Sequence, residues 1–182
     1  LAAALSLARK MRDPNDEINV LKNYGYLYWA MSDYQRADET FSDLFLKFGE
    51  DRIPVDFGKL YTDAAFVALN NHNLEKSLYY LGCAEKIAEQ YNDQRTLMFS
   101  IFYRADLHKY QGENRKAIAN YERVLEMNRE FSERFLDFYG RLYLSNIHIR
   151  LGESLGRRRV STLLSRLRAV SSSPSRIWML LR

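Results

Sequence analysis

A chain of 182 residues, 47% hydrophobic and 27% charged, is long enough to bury a core and too apolar to be disordered. The net charge of +4 is unevenly held: all 23 acidic residues lie in 1–153 beside 20 of the 27 lysines and arginines, whereas 154–182 hold seven arginines and no acid. The first 153 residues therefore carry no electrostatic footprint for nucleic acid, and no apolar run reaches the roughly 18 residues that would span a membrane.

Three prolines and eight glycines leave few chain breakers, while 13 tyrosines and 10 phenylalanines supply bulky packing groups, a balance that favours an all-α protein. The single cysteine, Cys83, excludes an internal disulfide framework and fits a reducing, cytoplasmic setting. The opening "LAAALSLARK" lacks the charged start and cleavage pattern of a signal peptide. It reads instead as the second helix of a preceding pair, as in a piece of a longer chain, with Leu1 and Ala4 in register with Phe41 and Leu44.

Along the chain the pattern repeats without gaps at an offset of 40. Pro14 and Pro54 each precede a first helix, where proline is tolerated. A small residue inside that helix recurs as Gly25, Ala65, Ala105 and Ser145. The turn recurs as Ser32, His72, Gly112 and Gly152, followed by Asp33, Asn73, Glu113 and Glu153. The second helix brings Ala37, Ser77 and Ala117, then Phe41, Leu81 and Tyr121, then Leu44, Ala84 and Val124. Three- and four-residue spacing puts these on one helix face, where a small residue lets backbones approach and the larger one four residues on fills the next gap. A pair of such helices cannot bury its face alone, so pairs must stack.

These columns, above all Gly25, Tyr28, Ala37 and Phe41, and Ala105, Gly112, Ala117 and Tyr121, resemble the tetratricopeptide repeat family. That family's usual period is about 34 residues. The longer one resembles the branch found in kinesin light chains and bacterial peptide-sensing regulators. The resemblance covers residues 1–153 and implies a right-handed α-solenoid of antiparallel helix pairs, a tetratricopeptide-like superhelix. It implies a non-catalytic scaffold whose concave face, lined by the first helices, binds a protein or peptide. The alternative is the peptide-sensing input domain of a larger bacterial-type transcriptional or signalling regulator.

Projected by the repeat, the groove holds Asn19, Lys22, Tyr26 and Trp29, then Lys59, Thr62, Phe66 and Leu69, then Phe99, Phe102, Asp106 and Lys109, and last Tyr139, Asn146 and Ile149. The binding candidates among them are Lys22, Tyr26, Trp29, Lys59, Phe66, Phe99, Phe102, Lys109 and Tyr139, aromatic area with lysines at one edge. The repeats that grip a C-terminal carboxylate resemble one another in a lysine, asparagine and arginine set. Lys22 matches its first lysine, but Tyr26, Asp63, Phe99 and Tyr103 replace the rest, so chaperone tails are not expected ligands.

Catalysis has no visible seat: no phosphate-cradling glycine loop, no GxSxG and no HExxH. His108 and His148 are expected in inter-repeat packing, His72 in solvent at a turn, and Cys83 as a buried thiol. No metal, cofactor or small-molecule substrate is therefore expected. After Glu153 the columns hold Arg157 and Ser161, and the pattern fails. Three readings of the basic, Arg/Ser-rich tail 154–182 stand open: a capping helix in which Val160, Leu164 and Leu167 recover the spacing, a kinase site at Ser161, or sequence foreign to the domain.

Overall fold

A computed structural model describes Ser6, residues 14–48 and residues 57–151. The preceding-pair helix (Ser6 apart), Pro54 and the basic tail lie outside the described residues. From residue 14 on, the described residues form seven helices in order: α1 (Pro14–Ala30), α2 (Tyr34–Phe48), α3 (Phe57–Asn70), α4 (Leu74–Tyr91), α5 (Gln94–Tyr110), α6 (Asn114–Phe131) and α7 (Arg134–Arg150). No strand occurs among the described residues. The chain divides into two compact units, Leu1–Tyr103 and Arg104–Arg182, with the boundary inside α5.

The turns explain why the helices stop where they do. Ser32, His72 and Gly112 have φ of 60°, 60° and 78°, the left-handed conformation that ends a helix. Each makes the same pair of closing bonds. The Ser32 amide donates to the Trp29 carbonyl (2.8 Å), and the Asp33 amide to the Tyr28 carbonyl (2.9 Å). Asn73 donates to Ala68 and Glu113 to His108, both at 2.9 Å. Asp33 and Asn73 then cap the following helix, their side-chain oxygens accepting from the Arg36 and Lys76 amides. Asn92 and Ser132, also 40 apart, are left-handed at the ends of α4 and α6. There the buried Asn128 side chain both donates to the Glu133 carbonyl and accepts from the Glu133 amide, fixing the α6–α7 turn.

Within the first unit α1 packs on α2, α2 on α3, and α3 on α4. The small residues of the repeat sit at the crossings. Ala37, Ser77 and Ala117 are all 0% exposed, as are Phe41, Leu81 and Tyr121, and Leu44, Ala84 and Val124. Nine residues in three columns with no accessible surface make these columns the core. At the first crossing a Cβ on Gly25 would lie 2.3 Å from Cε1 of Phe41. At the second the Ser77 hydroxyl donates to the Ala65 carbonyl (2.9 Å), a polar contact where its counterparts are alanines. Phe45 of α2 stacks on Tyr61 of α3 with ring centroids 4.0 Å apart. In the second unit α6 packs on α7.

Two substitutions test these features. Ser32→Gly is expected to raise stability by about 0.5–1 kcal/mol, because glycine relieves the strain of a left-handed residue. Gly25→Ala is expected to lower it by about 1–3 kcal/mol despite alanine's better helix propensity, because the buried Phe41 ring has nowhere to go. Urea midpoints at constant slope read both.

Candidate functional site

The projected groove residues of the first unit converge on one acid. Asp63 of α3 is 5% exposed. Its Oδ2 accepts from the Tyr26 hydroxyl of α1 (2.8 Å) and from Lys59 Nζ one turn back on α3 (2.6 Å). Lys59, the exposed residue of α3, holds its ammonium 5.8 Å from the Tyr26 ring centre. Burial pushes the Asp63 carboxyl above its usual range, outweighing the opposing pull of Lys59 and Tyr26. Burial, and then the Asp63 charge, push the Tyr26 phenol well above its ordinary value, so it stays a hydrogen-bond donor.

Around that acid runs a chain of rings across three helices. Tyr26 and Trp29 of α1 lie 6.0 Å apart, Trp29 and Phe66 of α3 5.4 Å, and Phe66 and Tyr103 of α5 5.3 Å, with Phe99 6.3 Å from Tyr103. Tyr26, Trp29, Phe66 and Phe99 are half-buried. Each therefore spends part of its surface on a neighbour and keeps part open. Lys22, one turn before Tyr26, is half-buried as well. Five of the candidates (Tyr26, Trp29, Lys59, Phe66 and Phe99) are thus linked.

Phe102 is placed differently. Its ring is 1% exposed and meets Tyr103 edge-on at 5.6 Å, so it belongs to the core and offers no area to a ligand. Thr62 and Leu69 of the projected groove are also buried, at 1% and 8% exposure, because α3 packs against both α2 and α4.

The second unit holds a similar arrangement. The Tyr121 hydroxyl donates to Oδ1 of Asp106 (2.7 Å), and Lys109 donates to the same oxygen. The Lys109 ammonium also lies over the Tyr143 ring, 3.5 Å from its centre. Tyr139 stands 5.8 Å from Tyr143 and 4.7 Å from Phe135. Burial and the Asp106 charge push both the Tyr121 and Tyr143 phenols above the ordinary range. Lys109 and Tyr139 thus share Tyr143 as a neighbour.

Sequence reasoning missed Asp63, Tyr103 and Tyr143 as members of these clusters. The missed signal is a register. Tyr26–Asp63, Phe66–Tyr103 and Asp106–Tyr143 are each 37 residues apart and in contact or electrostatic range. An acid one turn after a lysine, in a column that otherwise reads Asn23, Tyr103 and Tyr143, marks the exception.

Of the remaining reactive groups, His108 Nδ1 lies 2.6 Å from Glu113 Oε2, tying a helix to its own turn. Lys116 and then His108 hold the Glu113 carboxyl below its usual value. His72 is exposed at its turn, and Cys83 is half-buried rather than buried. Among the described residues no helix is long and apolar enough to cross a membrane. No family model matches the chain, and no curated protein matches it.

The raised Asp63 carboxyl has a consequence for stability. The folded protein holds that proton more tightly than the unfolded chain, so this residue's contribution rises as pH falls through the folded-state value and is lost above it. Asp63→Asn removes the dependence. The variant is expected to be the more stable of the two at pH 8, with the urea midpoints converging as pH falls towards 4. A constant difference across that range would show that Asp63 does not titrate as described.

Proposed function

We propose that the chain is a non-catalytic peptide-binding module: a right-handed solenoid of antiparallel helix pairs of the tetratricopeptide type, with its ligand surface on α1, α3 and α5. The observation that carries the reading is the aromatic chain of half-buried Tyr26, Trp29, Phe66 and Phe99, joined through the buried Tyr103, which links three first helices at centroid spacings of 5.3–6.3 Å. Large rings fixed by their neighbours lose little entropy on binding and offer broad contact area. The repeat reading draws support from the 40-residue recurrence of left-handed turns and from the three fully buried columns. Within this reading Tyr26, Trp29, Phe66 and Phe99 supply contact area, and Lys22 and Lys59 the charged edge. Lys109 and Tyr139 belong to the second unit's cluster, and Phe102 supports the surface from beneath.

The test uses the full chain and peptides selected on it from a random library. Trp29→Ala is expected to weaken the selected peptides about tenfold or more, the loss typical of a central aromatic contact. Tyr79→Ala, an exposed ring on α4, serves as the control and is expected to leave binding unchanged. Fluorescence anisotropy reads both, and equal binding by wild type and Trp29→Ala would remove the groove from the proposal.

A further inference from the structure

We propose that the peptide bound by this groove carries an arginine whose guanidinium takes the place of Lys59 on Asp63, against the rings of Tyr26 and Phe66. The inference rests on the peptide-binding reading above and names the chemistry of its ligand.

Four observations lead to it. First, the Asp63 carboxylate is half used. Tyr26 and Lys59 both donate to Oδ2, and among the described residues Oδ1 has no hydrogen-bond partner, although the residue is 95% withdrawn from solvent. Oδ1 is not fully enclosed, so the exposed 5% of the residue leaves it within reach of a donor from a ligand. Second, the acid is under-compensated, since burial dominates over the nearby ammonium and phenol. One ammonium gives it one hydrogen bond, whereas a guanidinium presents parallel N–H groups that engage both oxygens of a carboxylate.

Third, the surroundings suit a flat cation. Tyr26 donates to the acid from α1, Phe66 follows one turn on along α3, and Trp29 bridges the two rings. Aromatic faces attract a guanidinium and repel a carboxylate. Fourth, the present occupant is replaceable. The Lys59 side chain is 67% exposed and can swing into water without disturbing the core. The corresponding lysine of the second unit differs in that respect. Lys109 is 29% exposed and pinned over Tyr143 at 3.5 Å, so of the two tyrosine-bonded acids, Asp63 and Asp106, it is Asp63 that can exchange its cation. The cation of α1 is Lys22, half-buried one turn before Tyr26.

The experiment selects peptides from a random library on the full chain and, in parallel, on Asp63→Asn. Arginine is expected to be enriched in the wild-type pool and not in the variant pool. In a selected peptide, replacing that arginine with citrulline, which keeps the shape and removes the charge, is expected to weaken wild-type binding about tenfold and to leave the Asp63→Asn complex unchanged. Lys59→Met, at an exposed position, is expected to tighten the arginine peptide several-fold by removing the competing ammonium. Peptides selected without basic bias, or a citrulline peptide that binds equally well, would overturn the assignment and leave peptide binding standing. Weaker binding by Lys59→Met would also overturn it, placing the ligand on Lys59 itself. Failure to select any peptide above an unrelated helical protein would overturn the peptide reading and this inference together.

Discussion

The ring of Phe41 lies where a side chain at position 25 would have to be. This contact sets how closely α1 and α2 approach, and much of the first unit follows from it. With no Cβ at Gly25, the two backbones close around a ring that is fully buried. The same ring meets Tyr26 edge-on at 5.8 Å and so holds it from behind. Tyr26 in turn donates its hydroxyl to Asp63 on the next first helix. A packing contact inside one pair is thereby converted into a hydrogen bond between pairs. The second pair closes differently, with Ala65 at the first-helix position and the Ser77 hydroxyl bonded to its carbonyl, yet it reaches the same zero exposure at its centre.

The turns make that closeness repeatable. A left-handed residue at 32, 72 and 112 ends each first helix, and its amide and the next one return to carbonyls in the last turn. The residue that follows serves two helices, closing one through its amide and, in Asp33 and Asn73, capping the next through its side chain. With one residue in both roles the connection has no slack, so the register between the two helices is fixed by chain length alone. A longer or floppier link would let Ala37 or Ser77 slide out from under its crossing.

What could be read from the sequence, and what could not, follows from the same geometry. The columns at 37, 41 and 44 and their repeats were legible because each is buried on a helix with one apolar face, where three- and four-residue spacing singles out one direction. The exposure of the projected face was legible only in part. On α1 the projection to Tyr26 and Trp29 finds half-buried rings, but on α3 nearly every direction is covered, and Lys59 is its exposed residue. Periodicity marks which residues share a face and not whether that face meets water. Thr62, Leu69 and Phe102 therefore share a face with Lys59, Phe66 and Phe99 and still lie in the core. Asp63 escaped because its side chain is polar and its partner lies 37 residues earlier, a spacing that belongs to neither the helix nor the 40-residue repeat.

That 37-residue register carries contacts of different strictness. Between Phe66 and Tyr103 it is a contact of rings at 5.3 Å, which tolerates a shift of a fraction of an ångström at little cost. Between Tyr26 and Asp63 it is a hydrogen bond to a carboxylate deep in the protein. A slip of α3 along α1 there would leave a buried charge facing rings, with the phenol unpaired as well. The apolar columns thus drive the helices together without choosing among nearby registers, while the Tyr26–Asp63 bond selects one. Because Asp63 meets that demand with a single oxygen, the group that fixes the register keeps its second oxygen for another donor.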